Sequence, residues 1–380
     1  MHTPITSAPP VPEGGDTTTI TAYKIALRHP ADVSGLVRLI TSGAFAADDV
    51  VAVVGKTSGS GDLDDSSRLD ADLALRTTLR EYGTRSAEEI QALPMVFSTG
   101  GIGLLEPNAV LFVRTRSVAD ASSEPRLSIG IAQTHPLSDA DVGRLTTVNA
   151  VADSVRRAAA MAQIPTADAR YVLLKSRMPE RRGGAAGAVD TKYDMQYTLR
   201  TSGAASLGAA LALGDVTPPD ETDIGENLGL WSARVSSSTG KENPETQVIL
   251  LGNRVGAGGN LRVGSAAMED ALDVRSLGRA IRDAGLDVPD TCFPEEIRRR
   301  IVAVFVKCSA PEGDLRGHYQ VPESLNPQRI DQVKAAIAGA FASAIGAPAI
   351  YISAAAIHQG PPGGGNVAVI VDVSDVPVTT

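Results

Sequence analysis

Three short patterns recur along this chain in a fixed order, once in each third of its length. Each copy has an apolar run leading to Asp-Val-x-x-Leu, then a β-branched run that ends in lysine, then an apolar run that ends in serine. The copies repeat at about 120 residues, which is near the usual size of a domain. Self-similarity at that period predicts several copies of one structural unit, and it constrains the fold more than any single motif does.

A lysine and a serine stand at matching places in the three copies. The runs that end in lysine are DVVAVVGK, ARYVLLK and RIVAVFVK, and their last residues are Lys56, Lys175 and Lys307. The runs that contain the serine are PMVFSTGG, SARVSSSTG and PAIYISAAA, and the serines are Ser98, Ser238 and Ser353. One such pair would carry little information, whereas three pairs in the same order indicate a shared role.

Each copy reads as strand, helix, strand with lysine, helix, strand with serine, and a last apolar strand. This alternation predicts an α/β fold. The aspartate of each Asp-Val-x-x-Leu sequence is predicted to accept N–H groups at a helix start; the three are Asp32, Asp141 and Asp273. The predicted boundaries are a disordered lead-in over 1–17 and repeat units over 18–118, 122–255 and 258–380.

Charge and composition exclude several classes of protein. The net charge of −9 and the lack of a long basic cluster argue against a nucleic-acid partner. No apolar run approaches membrane-spanning length, and the N-terminus lacks a signal-peptide pattern. Cys292 and Cys308 are the two cysteines, too few for a disulfide framework or a multi-cysteine zinc site. We expect a cytoplasmic protein in which both thiols are incidental or buried.

The segment Gly55-Lys56-Thr57 resembles the end of a phosphate-binding loop, but it lacks the first glycine. That loop has the form G-x-x-x-x-G-K-[ST], and Val50 stands where the first glycine belongs. Without it the backbone N–H groups cannot wrap around a phosphate. Nucleotide binding is therefore the weakest of the functional hypotheses, and Lys56 is better interpreted as one of three equivalent lysines.

A lysine beside a serine can support nucleophilic catalysis. A serine hydroxyl attacks poorly until a base removes its proton, and a lysine with a lowered pKa can be that base. The small residues after each serine would let backbone N–H groups converge on an oxyanion. The structural alternative is that each lysine is a solvated strand end and each serine lies in a turn.

Several segments resemble the cyclic amide (ring-opening) hydrolases, the family of cyanuric acid hydrolase and barbiturase. The matching segments are GKTSGSGDLDDSSR, SSSTGKE, VKCSAPEGDLRG and HQGPPGGG, of which the last, at 358–365, is the most specific. The similarity runs from about Tyr23 to the C-terminus. It implies three homologous α/β repeat units around a pseudo-threefold axis with the active site at the centre. It also implies a homotetramer that needs no cofactor for catalysis and opens a small planar heterocycle.

The resemblance assigns roles to residues of this sequence. Lys175 would be the general base and Ser238 the nucleophile that attacks a ring carbonyl. The implied substrate-binding residues are Lys56, Arg68, Ser98, Thr99, Ser202, Thr239, Lys307, Arg329, Ser353 and Ala354. The second unit should offer Arg or Asn where Ser202 aligns, and Arg200 lies nearby. The choice between Arg200 and Ser202 stays open at this point.

Relatives also carry a structural metal ion, and one departure bears on it. Ser309 stands where relatives have a metal-binding glutamate, so we predict that the metal is weakly bound or absent. The other implied ligand positions are Ala356, Gln359, Gly360, Pro361 and Gly364. The substrate stays open among barbituric acid, cyanuric acid and an untested cyclic imide. The alternative of another class is a protein that binds planar heterocycles without turnover.

Overall fold

The computed structural model describes residues 17–60, 65–100, 103–117, 121–178, 191–240, 244–311, 313–318 and 329–374. Residues 1–16 of the predicted lead-in lie outside the described residues, and Thr17 begins the first strand. The side chains of Ser117, of 191–197 and of Arg329 also lie outside the description. In the described part of the chain, no helix is long and apolar enough to cross a membrane.

Strands and helices alternate along each third of the chain. The first third contains β1 (Thr17–Ala26), α1 (Ser34–Thr41), β2 (Val50–Lys56), α2 (Ser67–Tyr82), α3 (Ala87–Gln91), β3 (Met95–Ser98) and β4 (Asn108–Ser117). The second contains β5 (Arg126–Gln133), α4 (Leu145–Ala162), β6 (Ala169–Arg177), α5 (Thr191–Leu213), β7 (Val235–Gly240) and β8 (Gln247–Arg254). The last contains β9 (Leu261–Met268), α6 (Arg275–Asp283), α7 (Glu295–Arg300), β10 (Ile301–Cys308), α8 (Arg329–Ile345), β11 (Tyr351–Ala354) and β12 (Gly365–Asp372).

The three thirds form three four-stranded sheets of one topology. In each sheet the spatial order is first, fourth, second and third strand, as in β1-β4-β2-β3. The fourth strand runs antiparallel to both neighbours, and the second and third strands run parallel. An irregularity in the second strand recurs at the same place, five residues before each lysine. The predicted fold of three homologous α/β units is confirmed.

The inner faces of the three sheets pack around one central core. Side chains alternate across a strand, so one strand supplies both an inner and an outer face. In β2, Val54 enters the central core, whereas Val53 packs outward against the helices of its own unit. The central core takes residues from all three units, and its aromatic members are Phe112, Tyr171, Phe305 and Tyr351. Burial on both faces explains why these strands read as continuous apolar runs.

Helices cover the outer face of each sheet. Leu75 of α2, Val155 of α4 and Ile281 of α6 each belong to the outer apolar cluster of their own unit. Asp32 accepts the N–H of Ser34 at the start of α1, as predicted. The same prediction is wrong for Asp273, because its carboxylate accepts the N–H of Glu269 and binds Arg279, contacts that fix the loop before α6.

Strand β9 and helix α6 approach so closely that the strand needs a glycine. A Cβ on Gly264 would overlap the backbone oxygen of Ala280 and the backbone nitrogen of Ala284. Gly130 stands in the same relation to Ala158 in the second unit. The sheet and the helix therefore touch through backbone atoms, which a longer side chain cannot displace at low cost.

We expect Gly264→Ala to lower the free energy of unfolding by about 3 kcal/mol, because two packed backbones must separate. Gly339→Ala is the matched control, since Gly339 lies inside α8 with no atom near its missing Cβ. That control should gain roughly 0.5–1 kcal/mol from the higher helix propensity of alanine. Urea denaturation of both variants measures the difference, and equal stabilities would contradict the close packing of β9 on α6.

Candidate active site

The lysine and the serine of each unit lie side by side on neighbouring strands. The parallel register of each second and third strand pairs Lys56 with Ser98, Lys175 with Ser238, and Lys307 with Ser353. Each serine lies on the inner face, because Phe97, Val235 and Ile352, an odd number of residues before the serines, belong to the outer apolar clusters. All six side chains are at least nine-tenths buried. The hypothesis that these lysines are solvated strand ends is therefore wrong.

Hydrogen bonds between units bring the three pairs together. Lys175 Nζ donates to the carbonyl oxygen of Phe97 at 3.0 Å, and Lys307 Nζ donates to that of Ser237 at 2.6 Å. Ser98 Oγ donates to the carbonyl oxygen of Ile352 at 3.1 Å. Each acceptor is the residue immediately before the serine of another unit. These bonds run from the second unit to the first, from the third to the second and from the first to the third, so the pairs form a closed ring around the axis.

The three serine hydroxyls differ in their partners. Lys56 Nζ lies 3.5 Å from Ser98 Oγ and also donates to the carbonyl oxygen of Thr99. Lys307 Nζ donates to Ser353 Oγ at 3.2 Å. Ser238 Oγ is buried and has no hydrogen-bond partner among the described residues. The structure therefore distinguishes Ser238 from its two counterparts.

Burial and neighbouring cations disfavour the charged form of two of the lysines. Burial, with the charges of Lys334 and Lys175 acting in the same direction, lowers the pKa of Lys307 to about 7. Burial also holds the pKa of Lys56 well below its ordinary value, with Lys334 and Arg68 acting in the same direction. A neutral amine can accept a proton, so the centre of the molecule suits acid–base chemistry near neutral pH.

Helices α2 and α5 bring polar side chains towards the lysine–serine ring. Arg68 lies in the first turn of α2, and its charge acts on Lys56. Ser202 in α5 is buried and donates to the carbonyl oxygen of Ser237 at 3.2 Å. Arg200 instead binds Glu221 at 3.1 Å. Of the two candidates in the second unit, Ser202 is therefore the one that contacts the segment around Ser238.

Lys334 is a site residue that sequence reasoning missed. Gly203 lies against Ile357, four residues after Ser353, and Ala335 lies against Gly103, five residues after Ser98. Lys334 therefore holds in the third unit the place that Ser202 holds in the second. The Lys334 side chain is buried, pairs with Asp331 at 2.9 Å and lies beside Gly100. Arg329 begins α8, and its predicted role stays a prediction because its side chain is outside the description.

The residues that follow each serine lie at or just beyond the strand ends, as the sequence predicts. Thr99 follows β3, and its side chain bonds Ser67 and Asp65 at 2.9 Å. Thr239 is buried within β7, and Ala354 ends β11. Their assignment as carbonyl-binding N–H groups stays a prediction.

Amide side chains form a second set of contacts between units. The fourth strand of each sheet carries an amide side chain at its first or second residue. In the strand register these amides are paired with the three lysines, and they are Asn108, Gln247 and Asn366. Gln247 Oε1 accepts the N–H of Met95 at 3.0 Å, and Asn366 Nδ2 donates to the carbonyl oxygen of Val235 at 2.7 Å. An Asn or Gln at or next to the start of the last apolar run recurs in all three copies of the sequence, and this signal could have indicated the contacts.

The HQGPPGGG segment at 358–365 joins the third unit to the second through hydrogen bonds. Gln359 Oε1 accepts the N–H of Ser237 at 2.6 Å, and its Nε2 donates to Ser202 Oγ at 3.1 Å. His358 Nε2 accepts the N–H of Gly225 at 2.9 Å, so its Nδ1 is the nitrogen that donates to Leu230 at 2.6 Å. The segment therefore fixes the strand that carries Ser238.

Two of the backbone oxygens predicted as metal ligands, and the Ser309 hydroxyl, accept hydrogen bonds from the chain. The Gly364 oxygen accepts from Ser309 N at 2.7 Å, and the Pro361 oxygen accepts from Gly364 N at 2.9 Å. Ser309 Oγ accepts from Ala356 N at 2.9 Å, and Gly360 takes a positive φ in the same loop. The described residues contain no cluster of three or more His, Cys, Asp or Glu. The named donors include no carboxylate, so they offer a divalent cation no formal charge, and the weakly bound or absent metal stays a prediction.

The two cysteines do not resemble catalytic thiols. Cys292 is exposed, whereas Cys308 is buried next to Lys307. Burial raises the pKa of the Cys308 thiol to about 11, so it stays protonated near neutral pH.

Comparisons of the sequence and the structure with known proteins point to a single family. The family model described as amidohydrolase ring-opening protein (Amido_AtzD_TrzD) matches residues 21–372. Barbiturase 2 of Nocardioides sp. (strain ATCC BAA-499 / JS614) is 39% identical over 368 residues, or 93% of this chain and 98% of that protein.

Two further relatives are described as acting on cyanuric acid. The cyanuric acid amidohydrolase of Bradyrhizobium diazoefficiens is 34% identical over 375 residues, or 94% of this chain and 100% of that protein. The crystal structure of the A. caulinodans cyanuric acid hydrolase superposes with a TM-score of 0.81 at 32% identity. It covers 94% of this chain and 100% of that one.

The lowered pKa of Lys307 predicts a pH-dependent stability. Between pH 7 and its ordinary pKa of 10.5, the unfolded chain holds a proton that the folded protein lacks, so the stability of the wild type rises with pH. Lys307→Met removes this titration. We therefore expect the wild type to gain stability over the variant as the pH rises. The gain in the free energy of unfolding should be about 1.4 kcal/mol per pH unit in this window. Urea denaturation from pH 7 to 9 measures it, and parallel profiles would contradict the lowered pKa.

Proposed function

The chain belongs to the ring-opening amidohydrolase family, and we propose that it hydrolyses a planar cyclic amide by nucleophilic attack of Ser238. Lys175 is the general base in this proposal. The observation that carries the assignment is the hydroxyl of Ser238, which is buried beside the lysine ring and engaged by no described residue. An unengaged hydroxyl is available to attack, whereas the hydroxyls of Ser98 and Ser353 are held by protein partners.

The proposed reaction has two halves that share the same groups. Ser238 Oγ attacks a ring carbonyl carbon while its proton passes to Lys175 Nζ. The ring C–N bond then breaks, and Lys175 returns the proton to the leaving nitrogen, which leaves an opened chain esterified to Ser238. Water attacks the ester with Lys175 again accepting the proton, so a carboxylic acid is released and the serine is restored.

The backbone beside the nucleophile is held from both sides, which supports this role. The N–H of Ser237 is bound by Gln359, and its carbonyl oxygen accepts from Lys307 and Ser202. Since Ser237 precedes Ser238, these bonds fix the strand at the point of attack. A fixed nucleophile reduces the entropy lost in reaching the transition state. Lys175 and Ser238 are not hydrogen-bonded to each other, and catalytic hydrogen bonds often form only with substrate present.

The other two pairs suit the remaining carbonyls of a flat ring. A six-membered ring with three carbonyl groups offers three similar edges, and three lysine–serine pairs around an axis offer three similar donor sets. In the proposal Lys56, Ser98, Lys307 and Ser353 hold two carbonyls while the pair in the second unit cuts the bond. Thr99, Thr239 and Ala354 supply N–H groups in the same scheme.

The three units differ in the polar groups that their helices bring to the site, and this supports a substrate ring with unequal edges. Arg68, Ser202 and Lys334, one from each unit, bring a guanidinium, a hydroxyl and an amine towards the ring. A barbiturate has three carbonyls but one carbon edge in place of a ring nitrogen. We therefore propose a barbituric acid-type substrate first, with cyanuric acid second. The 39% identity to a barbiturase supports the same order.

One alternative assignment has its own support. Lys307 donates to Ser353 Oγ at 3.2 Å, and the pKa of Lys307 is lowered to about 7, so this pair also has the geometry of a base and a nucleophile. The homotetramer and the cytoplasmic location rest on the family resemblance and the sequence. The weak or absent structural metal is supported by Ser309 and by the engaged loop oxygens.

We expect the purified protein to open barbituric acid or cyanuric acid in a panel of barbiturates, triazines, hydantoins and cyclic imides. Ser238→Ala and Lys175→Ala should each lower kcat by about 10³-fold or more, because each removes a group that reacts directly. The matched control is Ser353→Ala, the same strand position in the third unit, which should mainly raise KM.

The panel and the variants give separate outcomes. No turnover of any cyclic amide, together with tight binding of one, would favour the binding protein without catalysis. Near-normal kcat in Ser238→Ala with a large loss in Ser353→Ala would move the chemistry to the third unit. Mass spectrometry of the acylated enzyme locates the ester directly.

A further inference from the structure

Tyr351 places one aromatic hydroxyl in the central core, close to the hydroxyls of Ser238 and Ser353. It lies two residues before Ser353 in β11, and it belongs to the central core, so its side chain faces inward. The residues at the equivalent positions of the other units are Val96 and Ser236. Neither of these side chains carries an aromatic hydroxyl, so this feature is particular to the third unit.

The Tyr351 hydroxyl is buried without a conventional partner. The side chain is 1% exposed, and its oxygen has no hydrogen-bond partner among the described residues. The same holds for the hydroxyls of Ser236 and Ser238. Buried polar groups without partners are rare, because each loses its bonds to water and gains none in return. A folded protein that keeps such a group at this position has a use for it other than stability.

The neighbours of this hydroxyl include the proposed nucleophile. The hydroxyls of Ser238, Ser353 and Ser236 lie close enough to lower the pKa of Tyr351, although none has hydrogen-bond geometry. Burial outweighs them and raises this pKa to about 12. The phenol therefore stays protonated near neutral pH, where it can donate a hydrogen bond but cannot act as a base.

The ring of Tyr351 is held in place by its surroundings. The ring of Phe305 packs against it edge-on at 6.1 Å, and Phe305 is its partner in the parallel register of β10 and β11. A fixed ring can direct its hydroxyl without losing further conformational entropy when substrate binds. The other tyrosine of the central core behaves differently, since Tyr171 donates to Asn366 Oδ1 at 2.6 Å and is therefore satisfied.

We propose that Tyr351 is a further catalytic residue, which donates a hydrogen bond to Ser238 Oγ when the serine gives its proton to Lys175. This inference rests on the proposed nucleophilic role of Ser238. In the resting protein the serine oxygen is neutral and attracts a donor weakly. As the proton leaves, the oxygen gains negative charge, and a hydrogen bond to it becomes stronger. An interaction that strengthens only on the way to the transition state raises kcat.

The test compares Tyr351→Phe with Tyr171→Phe, which remove one hydroxyl each from the same core. Tyr351→Phe should lower kcat about 10- to 100-fold with little change in KM, as expected for the loss of a hydrogen bond to a charged group. Its Tm should be unchanged or higher, because the lost hydroxyl has no partner. Tyr171→Phe should lower Tm, since it leaves Asn366 Oδ1 without its donor, and should keep kcat.

The outcomes separate this inference from the proposed function. A normal kcat in Tyr351→Phe, with Ser238→Ala inactive, would overturn the role of Tyr351 and leave the nucleophile in place. A fall in Tm that matches that of Tyr171→Phe would indicate a structural role instead. Retained turnover in Ser238→Ala would sink the proposed nucleophile itself. The acid side of the pH–kcat profile should be the same in Tyr351→Phe and the wild type, because the tyrosine does not titrate there.

Discussion

Burial of three lysines around one axis is the constraint on which this structure depends. An amine taken out of water must find acceptors or lose its proton. Lys175 and Lys307 find theirs in carbonyl groups of another unit, one residue before that unit's serine. The bonds that satisfy the lysines therefore also join the units. The lowered pKa of Lys56 and Lys307 shows that burial is only partly compensated, which makes the centre reactive.

The three units are alike in backbone and unlike in the side chains that decide reactivity. Strand order, register and the irregularity before each lysine are the same in all three sheets. The serines differ, because one hydroxyl is unengaged and the other two are held. Three units with the same backbone can bind a ring at three edges. The side chains that differ between the units then direct the chemistry to one edge. The third unit assists the second through Gln359, which holds the backbone beside Ser238.

Much of this arrangement could be predicted from the sequence because repetition makes weak signals strong. The lysine and serine positions, the strands that carry them and the α/β class follow from patterns that occur three times. The residues that were missed depend on contacts between units, which no local pattern encodes. Lys334 lies in an ordinary amphipathic helix, and only its place beside Gly100 shows that it belongs to the site. The helix-capping prediction is wrong for Asp273, because its carboxylate accepts the N–H of Glu269 in the preceding loop instead.

The most direct measurement is a crystal structure of Lys175→Ala with barbituric acid bound. Our account predicts one ring on the axis, with a carbonyl carbon next to Ser238 Oγ and the other carbonyls at Ser98 and Ser353. A ring that contacts a single unit, or that binds away from the three serines, would contradict the claim that the units form one shared site.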